Sequence, residues 1–165
     1  IIFSCLIILC CCTRKGAQLP SNKGVENQEK MDMMTYNKMC IEAENTEIQS
    51  YLDSSSIEFV KANAGYWYKI VNNNNGKKVN NLVTISGTVQ VLGGEPCHQL
   101  NTLTLRLGKR DHTKVLDLAL ANAHVGDEIW IVSPSSLAYG LKGISNCITS
   151  RTPVLYKIKV LNTNE

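Results

Sequence analysis

Residues 125–140 read VGDEIWIVSPSSLAYG, the most informative stretch of the sequence. The residues that lead into it, 115–125 (VLDLALANAHV), form the one helical pattern in the body of the chain, and Gly126 closes that pattern. Residues 128–133 predict a strand, and the segment after them carries one tyrosine, Tyr139. A short helix, a strand and a tyrosine-bearing segment therefore follow one another directly.

Further strands are predicted on both sides of this stretch, because apolar and polar residues alternate there or because aromatic and β-branched residues dominate. These segments are 65–71, 82–92, 103–107 and 154–161. Strands arranged around a single short helix predict an α+β domain over residues 57–165, in which an antiparallel β-sheet wraps over one short helix.

An additional N-terminal helix is predicted over residues 31–56. Its apolar residues fall on one stripe, and its glutamates lie largely off that stripe. The stripe consists of Met34, Ile41, Ile48 and Leu52. Because the stripe is narrow, the helix cannot form a core of its own. We therefore expect it to pack on the body of the domain or on another copy of the chain.

The composition excludes several classes of protein. With 165 residues, 44% hydrophobic residues and a formal charge of +3, the chain fits one domain with tails and not a disordered chain. The small positive excess forms no basic cluster, so we expect no nucleic-acid partner. His98, His112 and His124 do not have metal-ligand spacing, and hydrolase and phosphate-binding motifs are missing. We expect neither a metal nor a cofactor.

The first residues, 1–12 (IIFSCLIILCCC), have the length of the apolar core of a signal peptide and are too short for a membrane helix. Residues 9–12 resemble the end of a bacterial lipoprotein signal, which predicts Cys12 as the lipidated first residue of the mature protein. A plain secretory signal, or a fragment of an uncleaved anchor, is the alternative. Residues 13–30 predict a flexible tether. We expect a protein of the bacterial cell envelope that faces the periplasm and reaches the membrane through its lipid only.

The stretch 125–140 resembles the hallmark of the FKBP family of peptidyl-prolyl isomerases, a V-G-D/E strand start that leads to I-P-x-x-L-A-Y-G. The resemblance runs from about residue 66 to residue 161 and includes the last strand, with Tyr156, Ile158 and Val160 in alternation. The leader, the N-terminal helix and residues 94–97 look most like the FKBP-type lipoproteins associated with gliding bacteria. The resemblance implies an FKBP-like fold whose pocket encloses a proline ring.

The resemblance also implies the site residues. A tyrosine hydroxyl of the family donates to a substrate carbonyl, and Tyr139 matches that tyrosine, so Tyr139 is the expected catalytic residue. The expected substrate-binding residues are Cys97, His98, Leu103, His112, Thr113, Leu116, Ile144, Cys147, Ile148 and Tyr156. The chain departs from the family where Leu116 replaces the tryptophan of the pocket floor and where Gly87 replaces a tyrosine. A second family donor is the backbone N–H aligned with Thr113.

Three features of this expected site stay open. Cys97 and Cys147 either form a disulfide across the mouth of the pocket or pack as buried free thiols. His98 and His112 either face the pocket or lie in surface loops. Tyr156 is either a pocket wall or a core residue.

Two functions follow from the resemblance. The first is an isomerase that acts on proline-containing segments of exported proteins and assists their folding, with activity weakened by the lost aromatic walls. The alternative is a catalytically inactive chaperone or protein-binding lipoprotein with the same fold. A pocket filled by the protein's own side chains, or closed by a disulfide, would argue against catalysis and leave the fold intact.

Overall fold

The computed structural model describes residues 32–74 and 76–164 of the chain. Within these residues the elements are, in chain order, α1 Met33–Ser54, β1 Val60–Lys61, β2 Trp67–Asn72, β3 Leu82–Val91, β4 His98–Arg106, α2 Lys114–Leu120, β5 Glu128–Ser133, a 3-10 turn Ser135–Leu137 and β6 Val154–Asn164. The strands form one antiparallel sheet in the order β1-β2-β5-β6-β3-β4. This architecture confirms the predicted α+β fold with its additional N-terminal helix.

Strand β3 shows how the alternating pattern becomes a half-buried strand. Its apolar residues Val83, Ile85 and Val89 are buried, and the strand pairs with β4 on one side and β6 on the other. At Gly87 the backbone of β6 comes so close that a Cβ atom would overlap the carbonyl oxygen of Lys157. No side chain fits there, which explains why glycine stands where the resemblance has a tyrosine.

Helix α2 is shorter than the helical pattern over 115–125, and β4 begins at His98, well before the alternation at 103–107. The helix ends at Leu120 because the following backbone pairs with another part of the chain. The N–H of Val79 donates to the carbonyl oxygen of Ala123 at 2.9 Å, and the Ala123 side chain is buried. The apolar pattern over 115–125 continues past the end of α2 because the segment around Ala123 faces the same core as the helix.

Alternate residues of β5 and β6 belong to two separate core clusters, because successive side chains of a strand point to opposite faces. Ile131 and Tyr156 lie in the larger cluster, together with the buried residues of α2. Val132 and Leu155 lie in the smaller cluster, together with Ile48 of α1. The two helices therefore cover opposite faces of the sheet.

Only the C-terminal half of the predicted stripe on α1 is buried. Ile48 is buried and Leu52 is half-buried against the smaller cluster, whereas Met34 and Ile41 are 78% and 56% exposed. Of the two expectations for this helix, packing on the body of the domain is therefore met by its C-terminal half. Within the residues that the structure describes, the N-terminal half of the stripe stays largely exposed.

The predictions for residues 1–31 lie outside the described part of the chain. They include the signal segment 1–12 with its lipidated Cys12 and the tether 13–30, and they stay predictions. In residues 32–74 and 76–164, no helix is both long enough and apolar enough to cross a bilayer.

Candidate functional site

The 3-10 turn that follows β5 places Tyr139 at the edge of the larger core cluster. The carbonyl oxygen of Ser135 accepts hydrogen bonds from the N–H groups of Ala138 at 2.9 Å and Gly140 at 2.8 Å. Gly140 has a positive φ of 56°, a conformation that glycine adopts without steric cost. The backbone thus folds tightly around Ser135, and the half-buried side chain of Tyr139 packs against the core.

Aromatic rings from three parts of the chain meet at Tyr139. Its ring stacks on that of Tyr156 in β6, with 6.1 Å between the ring centroids and 23° between the planes. The half-buried ring of His112, which lies just before α2, meets Tyr139 edge-on at 6.4 Å. The structure therefore brings together three residues that the resemblance assigned to one pocket, and it places His112 against the site instead of in an exposed loop.

The hydroxyl groups of the two tyrosines differ in their hydrogen bonding. The Tyr156 hydroxyl donates to Oγ1 of Thr113 at 3.1 Å. The buried Tyr139 hydroxyl makes no hydrogen bond among the described residues. Burial raises its pKa, and the nearby Tyr156 hydroxyl opposes part of this rise. Burial raises the pKa of both phenols, that of Tyr156 well above its ordinary value. Both groups therefore stay protonated, and Tyr139 keeps an unused donor.

The expected floor of the pocket is present, but the protein's own side chains cover it. Leu116, Ile148 and Tyr156 are at most 2% exposed, and all three belong to the larger core cluster. Leu103 and Ile144 are half-buried at the margin of that cluster. A proline ring can contact this floor only after some of the side chains that cover it move outward. Tyr156, which the sequence left as wall or core, is fully buried in this structure.

Cys97 and Cys147 form a disulfide, with their Cα atoms 5.5 Å apart. Cys97 is exposed just before β4, and Cys147 is half-buried next to Ile148. Ile144 and Ile148 exchange backbone hydrogen bonds of 2.7 and 3.0 Å, so the bonded cysteine belongs to a compact loop. The disulfide therefore ties this loop, which carries part of the expected floor, to the beginning of β4.

The histidines of the expected site differ in their links to Tyr139. Burial lowers the pKa of His112, the nearby His98 lowers it further, and Asp117 opposes both effects. His98 is thus related to the site through its charge, whereas His112 contacts Tyr139 directly. Across residues 32–74 and 76–164, no group of three or more His, Cys, Asp or Glu side chains could hold a metal ion.

Sequence patterns missed two charged residues next to the site. The carboxylate of Glu44 in α1 accepts hydrogen bonds from the backbone N–H and, at 3.0 Å, from the hydroxyl of Ser135. Arg151 donates from its backbone N–H to the carbonyl oxygen of Gly140 at 2.9 Å. No local signal could have revealed the first contact, because Glu44 and Ser135 are 91 residues apart.

A comparison with protein families assigns the part of the chain that contains the expected pocket to one family. The family model described as FKBP-type peptidyl-prolyl cis-trans isomerase matches residues 74–161. These residues include Tyr139, both bonded cysteines and every other residue of the expected pocket. No curated protein matches the chain.

Several solved structures share the fold of this chain. A peptidyl-prolyl cis-trans isomerase from Pseudomonas syringae pv. tomato has 20% identity and a TM-score of 0.66, and the match covers 78% of this chain and 96% of that one. FkpA from Escherichia coli has 18% identity and a TM-score of 0.62, over 78% of this chain and 62% of that one. The protein titled AtFKBP13 has 18% identity and a TM-score of 0.60, over 66% of this chain and 100% of that one. At these identities the likeness establishes the fold alone.

Proposed function

Since the chain belongs to the family of FKBP-type peptidyl-prolyl cis-trans isomerases, we propose that the site around Tyr139 binds proline-containing segments of exported proteins and isomerises their X-Pro bonds. We expect this isomerase activity to be weak, because the expected floor of the pocket has little accessible surface. The proposal also includes assistance to the folding of those proteins, in which X-Pro isomerisation is slow enough to limit the rate.

The observation that carries this proposal is the unused hydroxyl of Tyr139. A buried polar group without a hydrogen bond costs about 1–3 kcal/mol, so proteins rarely keep one without a reason. The Tyr139 hydroxyl lies beside apolar walls and is protonated, as a donor to a substrate carbonyl must be. A bound peptide carbonyl would supply the missing acceptor.

The chemistry needs no nucleophile and no general base. The barrier to rotation of the X-Pro bond is about 18–20 kcal/mol, because the amide loses its conjugation as it twists. The planar amide is more polar than the twisted one, so an apolar site that removes water from it favours the twisted form. Tyr139 and the backbone N–H of Thr113 would hold the peptide on either side of the rotating bond.

The disulfide supports the proposed location outside the cytosol, because disulfides persist in oxidising compartments and are rare in the cytosol. We propose that the chain is anchored at the periplasmic face of a bacterial membrane through a lipid on Cys12. A place among the FKBP-type lipoproteins associated with gliding bacteria is part of the same proposal, and it rests on the leader, α1 and residues 94–97. Labelling with an azido fatty acid tests the anchor: label that is lost in Cys12→Ala supports it, and an unlabelled, freely soluble wild-type product excludes it.

A proline-limited refolding assay tests the activity. We expect the wild-type protein to accelerate the slow phase, and Tyr139→Phe to reduce that acceleration about fivefold, the effect of one hydrogen bond worth about 1 kcal/mol. Tyr51→Phe, which changes a half-buried tyrosine of α1 that packs on Phe59 in the smaller core cluster, is the matched control and should keep full activity. A slow phase that the wild-type protein leaves unchanged would contradict catalysis.

The buried floor and the disulfide favour a second candidate, a module that binds extended segments without turnover. Such a module would suppress the aggregation of an unfolded client and would leave the proline-limited phase unchanged. The same refolding mixtures, followed by light scattering as well as by fluorescence, separate the two functions.

A further inference from the structure

Helix α1 makes a polar contact with the tyrosine-bearing turn, and this contact is separate from the apolar packing of the helix. The carboxylate of Glu44 accepts hydrogen bonds from both the backbone N–H and the hydroxyl of Ser135. The buried anchor of the helix, Ile48, lies one turn further along, in the smaller core cluster. The helix can therefore stay docked through Ile48 when the contact of Glu44 is removed.

Ser135 is the residue on which the turn depends. Its carbonyl oxygen accepts the N–H groups of Ala138 and Gly140, the two neighbours of Tyr139 in the chain. The Glu44 carboxylate fixes the N–H of Ser135, and the Ser135 carbonyl fixes the residues on both sides of Tyr139. A displacement of Ser135 would thus move the phenol that the proposed reaction uses.

The other end of the same loop is also held by α1. Arg151 donates from its backbone N–H to Gly140, and its guanidinium donates to Oδ1 of Asn37 at 2.8 Å. The guanidinium also lies 5.7 Å from the ring centroid of Tyr36, within the range of a cation–π contact. The segment 135–151, which contains Tyr139, is therefore attached to α1 at both ends.

We propose that Glu44 and Arg151 are positioning residues of the isomerase site, through which α1 fixes the location of the Tyr139 hydroxyl. The proposal rests on the proposed function and adds that α1 is part of the catalytic unit, although it lies on the opposite face of the sheet from α2 and before the segment that the family model matches. Hydrogen bonds to a carboxylate are about twice as strong as neutral ones, which suits a contact that must hold a loop in register.

The test compares Glu44→Ala and Glu44→Gln with Glu42→Ala, which removes an exposed carboxylate from the same helix, where it pairs with Lys38 at 3.9 Å. We expect Glu44→Ala to lower kcat about tenfold with a KM within about twofold of wild type, because the walls remain while the donor is misplaced. Glu44→Gln keeps one acceptor oxygen and should recover part of kcat. Glu42→Ala should match the wild type.

The ring resonance of Tyr139 in an NMR spectrum of tyrosine-labelled protein provides a readout that does not need activity. It should shift in Glu44→Ala and in Arg151→Ala, and stay in place in Glu42→Ala. An unmoved resonance in a folded Glu44→Ala protein, or an equal loss of kcat in Glu42→Ala, would overturn the positioning role. If the wild-type protein shows no turnover, the proposed function fails and the resonance alone decides whether α1 positions Tyr139. Should Glu44→Ala not fold, Glu44→Gln takes its place in both measurements.

Discussion

Tyr139 and Tyr156 stack on each other with their ring centroids 6.1 Å apart, yet only Tyr156 uses its hydroxyl, which donates to Thr113 at 3.1 Å. Two neighbouring tyrosines of the same core cluster thus divide into a structural one and one with a free donor. The difference gives a matched pair of substitutions that should differ in their effect on stability.

Tyr139→Phe should leave the free energy of unfolding unchanged or raise it by up to about 1 kcal/mol, because it removes a buried donor that has no partner. Tyr156→Phe should lower it by about 1 kcal/mol, since it removes a hydrogen bond and leaves the Thr113 hydroxyl unpaired. Urea denaturation of both variants measures the two values. A Tyr139→Phe protein that is clearly less stable than wild type would show that its hydroxyl has a structural partner.

Ile48→Ala should lower the free energy of unfolding by about 2–4 kcal/mol, because it empties a buried site between α1 and the sheet. Ile41→Ala on the same helix should change it by less than about 0.5 kcal/mol, since that side chain is mostly exposed. Thermal unfolding followed by circular dichroism compares the two. Equal losses would mean that the N-terminal half of the stripe is covered in solution, for instance by a second copy of the chain.

The pKa of His112 should make stability depend on pH. Burial and the nearby His98 lower this pKa in the folded protein below its ordinary value of 6.5, so the unfolded chain takes up the proton first as the pH falls. The free energy of unfolding should therefore have its full value above pH 6.5. It should decrease as the pH falls from 6.5 toward the lower pKa of His112 in the folded protein. Chemical denaturation at pH 5 to 8 measures this loss.

His112→Gln is the control for this dependence, because it removes the titrating group while keeping a polar side chain. The difference in stability between wild type and His112→Gln should change with pH below 6.5 and be constant above it, and His98→Gln should reduce the slope of the wild-type curve. An identical pH dependence in wild type and His112→Gln would show that His112 does not cause the effect.

The features that local patterns predicted are those set by residues close together in sequence. The alternation in β3 and β6 and the strand over 128–133 were visible because a half-buried strand repeats its burial every second residue. The motif around Tyr139 singles out this residue, and the structure places it beside Tyr156 and His112, but its catalytic role stays a prediction. The end of α2 is not visible in the sequence because it depends on pairing with a distant segment: the N–H of Val79 donates to Ala123, and the carbonyl oxygen of Lys77 accepts from Val125.

The contacts that the sequence left open depend on distances that only the folded chain defines. Whether Cys97 and Cys147 bond was undecided because a disulfide needs Cα atoms within about 7 Å, a condition that no spacing reveals. The link from Glu44 to Ser135 was not foreseen for the same reason. The resemblance places Gly87 where the family has a tyrosine, but the cause, the approach of β6, is seen only in the structure.

Gly87→Ala should lower the free energy of unfolding by about 2 kcal/mol or more, because its Cβ would overlap the backbone of Lys157 in β6. Gly94→Ala is the matched control: the nearest atom to its Cβ would be the carbonyl oxygen of Val91 at 3.4 Å, so the change should stay within about 0.5 kcal/mol. Denaturant unfolding of the two variants checks this. A stable Gly87→Ala protein would show that β3 and β6 separate readily at this point and that a larger side chain can be accommodated there.

Opening the disulfide should lower stability and raise activity at the same time. The bond closes a loop with a sequence separation of 50, for which chain entropy predicts a stabilisation of about 4 kcal/mol. It also holds the loop that carries Ile148 against β4, so its removal should let this loop move outward and uncover the floor. Cys97→Ser/Cys147→Ser should therefore unfold at lower denaturant concentration and, at temperatures where it stays folded, isomerise a proline peptide severalfold faster than wild type.

The control for this prediction is Cys40→Ser, which removes the free cysteine of α1 and should change neither property. Mass spectrometry with and without a reductant establishes that the bond is present in the wild-type sample. Activity that falls together with stability would mean that the disulfide supports the shape of the pocket, and that outward movement of the loop does not limit access. Activity that rises as stability falls would identify the bond as a restraint on turnover, because the expected catalytic tyrosine is unchanged in this variant.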